Sequence, residues 1–117
     1  MATNVSHLAV LSDGSFSQTP GADIDIDLPF ALPDNTAARR GVLAYVVDAT
    51  SPSSLAYSMT INGTAEVSRL VDGTVRHTEH EVVGSFHAGD NTLRVVVTGG
   101  TGTLVISDVV LFYDRGV

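Results

Sequence analysis

The feature that most constrains this chain is its last third, from Gly84 to Asp114. It reads as a strand, a Gly89-Asp90-Asn91 turn, a second strand through Val97, the glycine-rich turn Thr98–Gly102, and a third strand from Thr103 to Tyr113. Apolar β-branched runs punctuated by glycine are the signature of antiparallel strands. Valine and threonine are abundant elsewhere and helix formers are sparse, so the chain is predicted to be all-β.

The remaining strands are predicted at Val5–Leu11, ending in an Asp13-Gly14 turn, and at Asp23–Leu28, where Asp23, Asp25 and Asp27 alternate with Ile24, Ile26 and Leu28. Pro29 and Pro33 are expected to stop pairing there, followed by a loop or one helical turn over Asp34–Arg40. Gly41–Asp48 is apolar on both faces and reads as a central strand. Tyr57–Ile61 and Thr64–Leu70 flank Asn62-Gly63, a strong hairpin signal because both residues tolerate the positive φ of a type I′ turn. Asp72-Gly73 repeats that signal ahead of Val75–Val83. About eight strands at this spacing predict one domain over residues 1–117, a two-sheet antiparallel β-sandwich with jelly-roll connections; a fibronectin- or immunoglobulin-type sandwich is the rival topology. The buried set is expected to include Val46, Val95, Val97, Leu104, Ile106 and Val110.

At 117 residues, 44% hydrophobic and 16% charged, the chain can bury a real core and is not of disordered composition. The net charge of −7 argues against nucleic acid as a partner, since nothing in the sequence forms a basic patch. All six basic residues are arginine, which reads as a coding bias rather than as chemistry. With no cysteine, disulfides, thiolate metal sites and thiol nucleophiles are excluded. The first residues show neither a positive n-region nor an apolar h-region, so the expectation is a cytoplasmic or virion- and assembly-associated product, or one exported by another route, with the location left open. No apolar run reaches the roughly 20 residues of a membrane-spanning helix, so no membrane insertion is expected.

Few constellations suggest chemistry. In His77-Thr78-Glu79-His80-Glu81 the two histidines fall on opposite faces of a strand, so they cannot hold one ion; a solvated face on an edge strand is expected. Asp23, Asp25 and Asp27 lie roughly 6.6 Å apart along one face and read as a solvated acidic face. Gly99-Gly100-Thr101-Gly102 has neither the lysine nor the helix of a phosphate loop and reads as a hairpin turn. No Gly-x-Ser-x-Gly elbow is present. The chain is therefore not expected to be an enzyme, and no cofactor is expected.

The stretch from Gly41 to Tyr113 resembles the galactose-binding-like jelly rolls of carbohydrate-binding modules. The pattern is carried by Ile61-Asn62-Gly63, by Val82–Phe86, by Ala88-Gly89-Asp90-Asn91-Thr92-Leu93-Arg94-Val95, and by Ile106-Ser107-Asp108-Val109-Val110-Leu111. The resemblance implies a non-catalytic module binding a carbohydrate or other small polar ligand. It points to Tyr57 as the ring for sugar stacking and to Asp48, Asn62 and Asn91 as polar ligand contacts beside turns. It departs in having no tryptophan and 6% aromatic residues. Such modules often carry a structural calcium; Asp108 matches one ligand position, but His7-Leu8-Ala9-Val10 supplies no carboxylate, so no metal is expected. The alternative is a structural or assembly protein, such as a phage or capsid decoration or scaffold subunit, acting as a homo-oligomer.

Overall fold

Period-two alternation along the apolar segments builds eight strands in the computed structural model, which describes residues 4–18, 26–37, 40–49, 54–72 and 75–116. They are β1 (Asn4–Gln18), β2 (Ile26–Leu32), β3 (Gly41–Ala49), β4 (Ser54–Ile61), β5 (Thr64–Asp72), β6 (Val75–Val83), β7 (Gly89–Thr101) and β8 (Leu104–Gly116). One sheet has the order β1-β8-β3-β6 and the other β2-β7-β4-β5, and all pairs are antiparallel. Only β4 and β5 are consecutive strands that pair in the same sheet; each other connection crosses to the opposite sheet. This is jelly-roll connectivity rather than the immunoglobulin arrangement.

The Asn62-Gly63 hairpin forms as predicted, with φ of 51° and 83°. Two other predicted hairpins are corrected. Asp72-Gly73 lies between strands that end opposite sheets, and Gly73 falls outside the described residues. The Gly99–Gly102 segment likewise leads from β7 in one sheet to β8 in the other. A turn residue reverses the chain, but burial of the two sheet faces decides which strand the next one pairs with. Gly100 has a different role, since its φ is +100° and a Cβ there would fall 1.7 Å from the Ser54 carbonyl oxygen.

Two predicted boundaries also move. β1 runs through Asp13-Gly14 with register shifts between Val10 and Ser15 instead of turning there. β2 continues past Pro29, which lies opposite Thr92. Pro29 is tolerated because β2 is an edge strand, where one side of the backbone needs no ladder partner. Asp23 and Asp25 lie outside the described residues.

The core is built by the inward half of each strand. β3 buries Leu43, Tyr45, Val47 and Ala49, β4 buries Leu55, Tyr57, Met59 and Ile61, and β7 buries Leu93, Val95 and Val97. On β8 the pattern changes phase. Leu104 and Ile106 face inward, and then Val109, Leu111 and Tyr113 do. The shift occurs at a bulge where Asp108 adopts φ 53° and the register against β3 slips between Ala44 and Val46. Val110, expected in the core, is therefore half-buried on the outer face, and Val46 is so because it falls between Tyr45 and Val47 in the unbroken alternation of β3.

Candidate functional site

The four residues expected to contact a ligand do not converge. Asp48 lies near the end of β3, half-buried and 3.6 Å from Arg76 Nη1. Tyr57 is 2% exposed in the core, so it offers no ring face to a ligand. The reason is phase: Leu55, Tyr57, Met59 and Ile61 share one side of β4, and that side packs between the sheets. Tyr57 meets Tyr45 edge-on, with ring centroids 6.4 Å apart and the two hydroxyls 2.8 Å apart.

Asn62 and Asn91 do come together, at the opposite end of the sandwich from Asp48, but their polar atoms are already engaged. Asn62 Nδ2 donates to Asn91 Oδ1 and to the Ser85 carbonyl, both at 2.9 Å, and Asn62 Oδ1 accepts from Thr92 N–H at 2.9 Å. Asn91 Oδ1 also accepts from His87 N–H at 3.0 Å. Asn91 Nδ2 donates to the carbonyls of His87 at 2.8 Å and Gly89 at 3.0 Å. The pair therefore fastens the β4–β5 hairpin to the inter-sheet loop that leads into β7, and Asn91 is buried by that role.

A second polar cluster, His77–Glu81, is expected to be solvated; Thr78 and His80 are exposed, but Glu79 and Glu81 are not. Glu79, Glu81 and Val83 point toward the space between the sheets, and Glu81 and Val83 are buried there. Arg69 on β5 reaches across to them: Nε donates to Glu81 Oε1 at 2.8 Å, and Nη2 stands 2.6 Å from the same oxygen and 3.8 Å from Glu79 Oε2. These contacts join the edge strands of opposite sheets. A sequence signal existed, because Val67, Arg69 and Val71 alternate on one side of β5 and put a cation among core residues. Among the described residues, no buried side-chain nitrogen or oxygen lacks a hydrogen-bond partner, so this polar interior is saturated.

The arrangement open to a ligand is the outer face of the β2-β7-β4-β5 sheet. Asp27, Arg94 and Thr60 are cross-strand neighbours in one row, and Pro29 and Thr92 pair in the next. Ser68, Ser58 and Val96 form a further row. Arg94 forks onto Asp27, Nε to Oδ1 at 2.8 Å and Nη2 to Oδ2 at 3.2 Å. That hydrogen bond holds the Asp27 carboxyl below its ordinary value. A shallow depression lined by Thr60, Asn62, Gly63, Thr92 and Arg94 adjoins another lined by Pro29, Phe30, Asp90 and Thr92. Hydroxyls around a guanidinium–carboxylate pair supply donors and acceptors to a polyol. Among the described residues, no group of three or more His, Asp or Glu is placed to hold a metal ion.

No protein-family model and no curated protein sequence matches this chain. Solved structures do match its fold. A segment of dimeric latent PorU from Porphyromonas gingivalis superposes with a TM-score of 0.66 and 14% identity, over 97% of this chain and 13% of that one. This chain thus spans only a small part of that protein. The CBM36-1 domain of a multidomain xylanase from the hindgut metagenome of Trinervitermes trinervoides gives a TM-score of 0.59 and 12% identity, over 97% of this chain and 100% of the domain. The carbohydrate-binding module CBM36 in complex with calcium and xylotriose gives 0.54 and 12%, over 94% and 98%. The jelly-roll fold, expected over Gly41–Tyr113, is thus shared with these modules over nearly the whole chain.

Proposed function

We propose that this chain is a non-catalytic carbohydrate-recognition module that binds its ligand on the outer face of the β2-β7-β4-β5 sheet. The observation that carries this reading is the row Asp27–Arg94–Thr60, with Thr92 beside it, set in the shallow depression next to the Asn62-Gly63 hairpin. The likeness of fold to modules such as the one described with xylotriose supports it. Arg94 and Asp27 orient each other and supply charge-assisted hydrogen bonds to sugar hydroxyls, while Ser58, Thr60, Ser68 and Thr92 add neutral ones. Phe30, which edges the adjoining depression, is partly buried against the core, and no aromatic ring lies among the outward-facing residues described on this sheet, so hydrogen bonding is the main source of affinity. Asp48, at the other end of the sandwich, is not part of this surface.

The test is titration of isotope-labelled protein with neutral oligosaccharides, xylotriose included, followed by amide chemical shifts. Shifts are expected to cluster at Thr60, Thr92 and Arg94 and to vanish in Arg94→Gln. A glycan panel that moves no amide on this face at about 10 mM, an affinity worth less than about 3 kcal/mol, would remove the proposal.

A further inference from the structure

The outer face of the other sheet has the opposite character. Leu8, Phe112, Val42 and Val82 are successive cross-strand partners and form one apolar row from edge to edge of β1-β8-β3-β6. They are 57%, 43%, 36% and 63% exposed. Val10, also 57% exposed, begins the next row, followed by the half-buried Val110 and Ala44. Of the six large hydrophobics exposed among the described residues, five lie on this face and only Leu70 lies elsewhere, so the patch is not random scatter.

We propose that this face seats a second copy of the chain, giving a two-fold, sheet-on-sheet dimer. Electrostatics favours this occupant. The charged groups described on or beside the face are Arg40, Arg76, Asp13, Asp48, Glu66, Asp108 and Asp114, two positive against five negative, in a chain of net charge −7. More than half of the acidic excess therefore sits elsewhere, and two identical acidic molecules meet here with less repulsion than the net charge implies. Arg40 and Asp114 border the patch at one end, and the Arg76–Asp48 pair borders it at the other. A two-fold axis lying across the strands lays one end over the other, so Arg40, just ahead of β3, comes over Asp48 near the end of β3 in the second copy.

The size also fits. Four strands about 4.8 Å apart and about 30 Å long make a corrugated face whose accessible area is on the scale of the ~800 Å² per partner in a standard interface. The polar face proposed for sugar lies on the opposite side of the sandwich, so the dimer leaves it open and displays two sites outward. Weak sites linked in this way gain avidity on a polymeric ligand.

Sedimentation equilibrium of the full chain from about 5 µM to about 1 mM tests this, because mass action makes the average mass rise with concentration. The wild type is expected to approach the mass of two chains. Leu8→Glu combined with Val82→Glu should weaken association at least tenfold, while Leu70→Glu, on the other sheet, leaves it unchanged. Both replaced residues are exposed on edge strands, and Val82→Lys alone serves as a milder variant with an intact melting transition. A wild type that stays monomeric throughout overturns the proposal, as does association that persists in the Leu8, Val82 and Val82→Lys variants. Loss of sugar binding in Arg94→Gln has no bearing on these outcomes.

Discussion

Tyr45 on β3 and Tyr57 on β4 join the two sheets through hydroxyls 2.8 Å apart inside the core. Burial pushes the Tyr57 hydroxyl up to about 12 and raises that of Tyr45 as well, and for Tyr45 the shared hydrogen bond adds to the effect. In the unfolded chain both ionise near 10, so the fold holds the proton more tightly. The stabilisation is complete below pH 10 and is lost as pH rises from 10 through 12. For Tyr57 alone this is about 2–3 kcal/mol. Melting temperature followed from pH 8 to 12 should be flat and then fall, and Tyr57→Phe should make the fall shallower.

Arg69 and Glu81 close the side of the sandwich where β5 and β6 meet. Glu81 is nearly covered, so removing its cation leaves a carboxylate with fewer partners in a poorly solvated place. Arg69→Ala is expected to destabilise by about 1–2 kcal/mol, moderated by the half-exposed guanidinium. Arg69→Ala and Glu81→Gln together should cost less than the sum of the two, and urea denaturation of the four proteins measures the coupling. Strict additivity would mean the contact contributes nothing.

Asn91 anchors the inter-sheet loop with both ends of its amide. Asn91→Ala removes contacts to His87, Gly89 and Asn62 and is expected to cost about 2–3 kcal/mol, near the upper end for a buried hydrogen-bonding group. Asn91→Asp keeps the acceptor but loses the donor to two carbonyls, so it should not restore stability at neutral pH. A urea midpoint unchanged in Asn91→Ala would show that the loop is held by backbone contacts alone.

The phase change on β8 gives a paired test. Val109 is fully buried and Val110 is only half-buried on the outer face. Val109→Ala should cost about 1.5–3 kcal/mol, from the buried methyl groups lost, and Val110→Ala at least about 1 kcal/mol less. Equal costs in thermal unfolding would place the bulge elsewhere.

Much of this protein was legible in its sequence because the signals are local. Alternation along β3, β4 and β7 specifies strands and their inward faces, and Asn62-Gly63 specifies its own turn through the φ its two residues tolerate. The strand that the sequence predicts over Val75–Val83 is β6, over the same range. What only the tertiary structure decided is where each strand goes and which faces meet. Asp72-Gly73 and Gly99–Gly102 carry turn chemistry, yet both lead across the sandwich, because pairing depends on strands far away in sequence. In sequence Asn62 and Asn91 are polar residues beside turns, but their mutual contact spans 29 residues and engages them in a structural clasp. Tyr57 borders a loop in sequence but falls on the buried phase of β4, and Arg69 finds Glu81 only because β5 and β6 end opposite sheets at the same edge. Local physics writes strand and turn into the sequence; the division of the surface into a polar face and an apolar one appears only when residues as distant as Leu8, Val42, Val82 and Phe112 are laid side by side.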